Sequence, residues 1–248
     1  MRGTDNAASH HPGHPAVSHW TILCDFDGTI ALDDTTDTLL ERFGRPGWEV
    51  LESDWKAGRI NSHDCMAGQV GLMDMSCDEL DAHLDARAVD PAFAAFVDAA
   101  HAQGMHIVIV SDGLDYAIRR ILARTGFDSL PIVANHLRQT GERQWSLQFP
   151  HADKTCRIGS GTCKCARGRA AHERTLLIGD GASDFCVAET TDFVFAKGKL
   201  IEHCRKTSIA HAAIAGFADA LPLLPALISG KLVAAPRTAA ALPKAALA

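Results

Sequence analysis

No run of about 18 uncharged apolar residues occurs in the chain, so no segment reads as a membrane-spanning helix. The N-terminal residues also lack the charged-then-apolar order of an export signal, and a cytoplasmic location is expected. Positive charge is not in excess: 24 Lys and Arg against 30 Asp and Glu leave a formal −6, which gives no reason to expect nucleic acid or a membrane surface as a partner. There is no internal repeat. The eight cysteines are scattered, and without an export signal they are expected to be reduced thiols. Cys156, Cys163 and Cys165 invite a zinc reading, with His151 or His172 as further ligands. Spacings of seven and two miss the usual paired pattern, so free thiols are favoured.

What is present is an ordinary globular composition, 47% hydrophobic and 22% charged over 248 residues. That length suits a core domain carrying a smaller insertion. Residues 1–18, with His10, His11 and His14, read as a disordered lead-in, and the Ala/Pro-rich residues 229–248 as a disordered tail. Between them, "HWTILC", "HIVIV", "PIVA", "RTLLIG" and "DFVFA" are short apolar runs rich in β-branched and aromatic residues, ending at Asp, Ser, Asn, Gly or Lys. They read as buried parallel strands. Helical patterns separate them, which predicts an α/β core with a Rossmann-like parallel sheet, over residues 19–32 and 90–228.

The first two strands are too far apart in sequence for a simple crossover. Four short amphipathic patterns lie between them, predicting a helical cap over residues 33–89. Trp48 and Trp55 are expected in the core of that cap. Residues 135–151 predict a small β-hairpin insertion turning at Gly141.

Ligands of open α/β sheets bind outside the carboxyl ends of the strands. Asp25 and Asp27 follow the first strand here, Ser111, Asp112 and Gly113 the second, and Asp180 and Asp184 the fourth, with Lys164 just before that strand. Converging carboxylates repel one another unless a hard divalent cation such as Mg²⁺ sits among them. An ammonium, a hydroxyl and the N–H groups of a Gly-bearing turn at the same place suit a phosphate dianion. One aspartate would then attack phosphorus and a second would protonate the leaving oxygen. Gly28 and Thr29 supply the bend that lets two aspartates at i and i+2 both reach it.

"DFDGT" after a strand, a Ser ending the second strand, an isolated Lys and "GDGASD" after the fourth strand, in that order, resemble the four motifs of the haloacid dehalogenase superfamily. The resemblance spans about residues 20–228 and implies the following roles. Asp25 would be the nucleophile and Asp27 the general acid/base. Mg²⁺ would be held by the Asp25 carboxylate, the Asp27 backbone carbonyl, Asp180 and Asp184. Phosphate would be bound by Gly28, Ser111, Asp112, Gly113 and Lys164. Lys154 is a rival for the lysine role, but Lys164 is preferred because it opens a helical stretch. Asp112 is preferred as a cap of the next helix.

The cap resembles that of the phosphoserine phosphatase subfamily. "DWKAGRINSHDCMAGQVGLM", "SDGLDYAI", "LQFPH" and "GDGASDFCVA" look more like the branch of 2-hydroxy-3-keto-5-methylthiopentenyl-1-phosphate phosphatases, with phosphocholine and phosphoethanolamine phosphatases as relatives. Ser183 stands where phosphoserine phosphatases usually carry Asn, and Asp34 where they carry Glu; both count against phosphoserine. Asp34 is either a contact to the leaving group or the N-cap of the first cap helix. The implied activity is phosphomonoester hydrolysis of a small phosphorylated metabolite by a monomer or homodimer. Transfer to an acceptor other than water and an inactive phosphate-binding regulator are the rivals.

Overall fold

The computed structural model describes residues 20–171 and 173–232; the His-bearing lead-in, His172 and the last sixteen residues of the expected tail lie outside them. Seven strands form one sheet: β1 Trp20–Cys24, β2 His106–Leu114, β3 Ile132–Gln139, β4 Trp145–Gln148, β5 Arg174–Gly179, β6 Phe193–Ala196 and β7 His211–Ala213. Their order is β4-β3-β2-β1-β5-β6-β7, parallel except where β4 turns back on β3. The chain builds outward from β1 on one side through β2 and β3, then returns to its other side with β5. The connection order therefore reverses at β1, and the crevice outside its carboxyl end is the natural ligand site. Both faces of β1 are covered, with Trp20, Ile22 and Cys24 in one apolar cluster and Leu23 in another.

The insertion that follows β1 carries four helices: α1 Thr35–Phe43, α2 Trp48–Lys56, α3 Ser62–Gly71 and α4 Cys77–Asp85. Three start where the sequence supplies a side-chain cap: Asp34 accepts from the Asp37 N–H, Asn61 from Asp64, and Ser76 forms a reciprocal capping box with Glu79. A bridge between Ala31 and Val89 closes the insertion at its root. α5, Phe93–Ala102, and α6, Asp115–Ala123, flank β2 in the chain. The hairpin forms as predicted, but its first arm is the outward continuation of β3 rather than a separate strand. It props the insertion, since the buried Trp145 donates its indole N–H to the Met75 carbonyl at 2.9 Å.

Two expectations about side chains and termini differ from the structure. Trp48 packs half-buried against the core, but Trp55 is 39% exposed and α2 fully buries none of its residues, so only one of the tryptophan pair joins Leu39, Leu40, Val70, Leu80 and Leu84 there. Residues 229–232, expected in the tail, pack back on the last helix, with the Lys231 N–H bonded to the Ala226 carbonyl at 2.9 Å.

Candidate active site

β1 ends at Cys24, and the next N–H, that of Asp25, donates to the Ile178 carbonyl of β5 at 2.9 Å. Asp25 is thereby pinned beside the end of β5, where Asp180 follows Gly179. The turn after Asp25 needs Gly28: its φ is +67°, and a Cβ there would lie 2.8 Å from an Asp180 carboxylate oxygen. Thr29 donates from its hydroxyl to Asp180 at 3.3 Å, tying that turn to the end of β5.

Lys164 is the first residue of α7, Lys164–Ala170, and is 3% exposed. Its ammonium sits 2.8 Å from Asp25 and 2.7 Å from Asp184, and also donates to the Ser183 hydroxyl at 3.1 Å. Burial alone would lower the lysine's pKa, but the charges of Asp184 and Asp25 outweigh it and raise it. Lys154 lies exposed in the segment before α7, so of the two lysines Lys164 is the one brought to Asp25 and Asp184. Asp184 is more than a carboxylate beside a helix dipole. It is fully buried and accepts from the Asp180 and Gly181 N–H groups at 3.1 and 3.3 Å.

Among the described residues, Asp25, Asp180 and Asp184 form a group in which one carboxylate oxygen from each lies within 4.8 Å of the others. Burial, followed by the charge of Asp184, pushes Asp25 well above the usual carboxylate range and raises Asp180. One ammonium against three carboxylates leaves a net negative hole lined with hard oxygen donors, and a divalent cation fits that donor set. Asp27 contributes no carboxylate to the group, which leaves its backbone carbonyl as its route to a metal.

Asp27 faces the other way, toward the insertion. It accepts from the Thr35 N–H of α1 at 2.9 Å, and a Cβ on Gly113 would lie 2.5 Å from its second carboxylate oxygen. Burial, then the nearby charge of Asp34, lifts its pKa to about 7, against the hydrogen bonds from Thr35. A carboxyl group in that range both gives and takes a proton near neutral pH. Ser111, 1% exposed at the end of the apolar run of β2, accepts from the Gly113 N–H at 2.9 Å and completes the floor.

Asp34 takes the N-cap position at an exposed residue, and the protein atoms crowded around its carboxyl raise its pKa. Asp112 does not cap the next helix. β2 runs on irregularly to Leu114, so α6 starts at Asp115 and no side chain caps it. The three cysteines considered for zinc divide between partners: Cys156 with Cys163 and Ser160, and Cys165 with Cys186. All eight cysteines are free.

One side chain beside the site is not singled out by the sequence patterns. Lys197 donates from its ammonium to the Gly28 carbonyl at 2.8 Å, and its charge offsets a small part of the rise in the Asp180 pKa. Its position is the available clue: it is the residue at which the apolar run of β6 ends.

A parallel sheet with buried carboxylates and a lysine at the reversal point of its connections, beside a helical insertion, is an α/β fold with a polar site outside its strand ends. Residues 22–189 match the model of the haloacid dehalogenase-like hydrolases, and the chain belongs to that family. It is 30% identical over 210 residues to the 2-hydroxy-3-keto-5-methylthiopentenyl-1-phosphate phosphatase of Brevibacillus brevis, covering 82% of this chain and 94% of that one. It is 29% identical over 213 residues to Pdp3-interacting factor 1 of Schizosaccharomyces pombe, covering 80% and 91%. Among solved structures, a probable phosphoserine phosphatase from Vibrio cholerae matches with a TM-score of 0.64 at 16% identity, over 88% of this chain and 68% of that one. At that identity the likeness is one of fold. No helix among the described residues is long and apolar enough to cross a membrane.

Proposed function

We propose that the protein is a Mg²⁺-dependent phosphomonoesterase acting on a small phosphorylated metabolite through an aspartyl-phosphate. The observation that carries this reading is the buried Asp25–Lys164–Asp184 arrangement at the ends of β1 and β5, with ion-pair distances of 2.8 and 2.7 Å. Asp25 would attack phosphorus, with Lys164 drawing charge from the nucleophile and from the incoming phosphoryl oxygens. Ser111 and the N–H groups of the turn through Gly113 would hold the remaining oxygens. Asp27 would protonate the leaving oxygen and afterwards take a proton from the attacking water; its raised pKa supports both roles. Asp25, Asp180 and Asp184, with the Asp27 carbonyl, would hold Mg²⁺, which when bound supplies charge neutralisation of the phosphoryl group.

The insertion over residues 33–89 would act as the cap that excludes bulk water and reads the leaving group. The relatives' names support a methylthio-ketose phosphate of the methionine-salvage type as the first substrate to try. Free thiols throughout support a reducing, cytoplasmic setting. The test is release of inorganic phosphate with Mg²⁺ across methylthio-ketose, sugar, amino-acid and choline phosphates. Turnover of at least one, abolished by EDTA and by Asp25→Asn, is expected. Absence of phosphate release from every member would overturn the reading. Consumption of substrate only when an alcohol acceptor is present would favour phosphotransfer instead.

A further inference from the structure

Asp112 follows the phosphate-binding Ser111 directly, yet its carboxylate is already committed to the protein. One oxygen accepts from the Thr162 N–H at 2.8 Å and from the Asn135 amide at 3.1 Å; the other accepts from the Ser62 hydroxyl at 2.9 Å. The Asn135 amide also donates to the Asp112 carbonyl, and its oxygen accepts from the Thr162 hydroxyl at 3.1 Å. Asn135 and Thr162 are fully buried. These partners belong to three different parts of the molecule. Ser62 opens α3 of the insertion, Asn135 lies on β3, and Thr162 stands two residues before Lys164.

We infer that Asp112 is a positioning residue, not a ligand for phosphate: it fixes the loop that delivers Lys164 and ties that loop to the insertion through Ser62. This inference rests on the phosphatase reading for its kinetic consequence, though not for its structural one. Three neutral donors occupy three of the roughly four acceptor positions of a carboxylate, so little is left for a substrate. None of those donors is charged, so the network asks for hydrogen-bond acceptors and not for negative charge. The same interface is continued by the His63 N–H, which donates to the Gly159 carbonyl at 3.1 Å, and by the His63 ring, 3.8 Å from that of Phe149. The loop over 156–163 therefore faces the insertion on one side and leads into the catalytic lysine on the other. A buried network of this kind holds a single arrangement only while every member is satisfied.

The discriminating variants are Asp112→Asn and Asp112→Ala. Asparagine can keep its oxygen on Thr162 and Asn135 and donate its amide to the Ser62 hydroxyl; alanine leaves all three donors without an acceptor. Turnover of p-nitrophenyl phosphate with Mg²⁺, inhibition by inorganic phosphate, and hydrogen exchange of the segments 61–66 and 156–163 are measured in the full-length protein. Asp112→Ala is expected to lower kcat/KM by about 10- to 100-fold, to weaken phosphate inhibition and to lose exchange protection in both segments together. Asp112→Asn is expected to stay within about 3-fold of the wild type, because a neutral hydrogen bond replaces another.

Ser62→Ala, a safe substitution at a half-buried position, should raise exchange in 61–66 while phosphate inhibition stays unchanged. The inference is overturned if Asp112→Asn is as damaging as Asp112→Ala, which would show that the charge itself acts on the substrate. It is overturned equally if Asp112→Ala keeps wild-type protection in both segments, or if Ser62→Ala leaves 61–66 unchanged. Should Asp112→Ala fail to fold, Asp112→Asn and Ser62→Ala decide the matter. Absence of phosphate release by the wild-type protein would strike the phosphatase reading alone, and the exchange measurements would still judge this one.

Discussion

At the ends of β1 and β5 the side chains of Lys164, Asp25 and Asp184 are 3, 7 and 0% exposed, whereas α2 of the insertion buries no residue and leaves Trp55 39% and Val50 61% exposed. The two regions also differ in what holds them. The floor is fixed by strand register and by charges with no water to screen them, so each member depends on the others. α2 is an outer helix held by partly exposed contacts, such as the Glu52–Lys56 ion pair at 2.8 Å and the Gln69 amide donating to Glu52 at 3.1 Å. Substitutions in the floor should therefore act on chemistry and stability together, while those on the outer cap should move neither strongly.

The largest effect is expected at Asp25. Asn keeps its shape but cannot form the phosphoenzyme, so Asp25→Asn should reduce phosphate release by about 10⁴-fold or more with the fold retained by circular dichroism. Substantial remaining turnover would move the nucleophile elsewhere and erase the contrast between floor and roof.

Lys164→Met comes next and separates chemistry from stability. Removing the ammonium leaves Asp25 and Asp184 facing each other without a counter-charge. Breaking a buried pair in this way costs about 3–5 kcal/mol, read by urea unfolding without metal. Added Mg²⁺ should restore part of that stability while activity stays down by about 10²-fold or more, since a cation replaces the charge but not the donor. Equal stability of variant and wild type in EDTA would show that the ion pair is not the organising contact of the floor.

Gly113→Ala should have a smaller effect confined to Asp27. The added Cβ would stand 2.5 Å from one Asp27 oxygen and 3.1 Å from the Ser111 hydroxyl. A loss of about 10- to 100-fold in kcat, with a destabilisation of about 1–3 kcal/mol, is expected from forcing one methyl group into a packed site. Unchanged kcat would mean that Asp27 has room to move and is not held for its task.

The same division governs how much can be read from the sequence. "RTLLIG" delimits β5 to the residue because a strand buried on both faces is a continuous apolar run with sharp polar ends. The candidate site residues stand at such ends, so Asp25, Asp27, Ser111, Asp180 and Asp184 are legible from the amino-acid pattern alone. Lys164 is legible only through its helix, and Lys197 does not stand out because a lysine ending an apolar run is common. β7, with the pattern "HAA", carries no apolar run and leaves no signal. Asp112 reads as a helix cap, and is not one, because the irregular end of β2, which carries the strand past Ser111, depends on pairing with β3 and not on local propensity. Its partners Ser62, Asn135 and Thr162 are distant in the chain, and hydrogen bonds across such separations leave no trace in spacing. In the cap, helix existence is legible from capping residues, but the inward face of α2 is not, because the Trp48–Trp55 spacing joins a residue packed against the core to one that is exposed.

The exposed face of α2 supplies the smallest and most local prediction. If α2 rests on the rest of the cap without being part of its core, Val50→Ser should change stability by no more than about 0.5 kcal/mol, the usual range for a surface position. The turnover of a small aryl phosphate should be unchanged as well, because that substrate makes its essential contacts at the strand ends and asks nothing of the outer helix. A loss of stability above about 2 kcal/mol would place Val50 against an apolar surface, such as a second copy of the chain, and the melting temperature would then rise with protein concentration. Stability independent of both the substitution and the concentration leaves α2 as a solvated outer wall, and the selectivity of the cap would then have to come from other parts of residues 33–89.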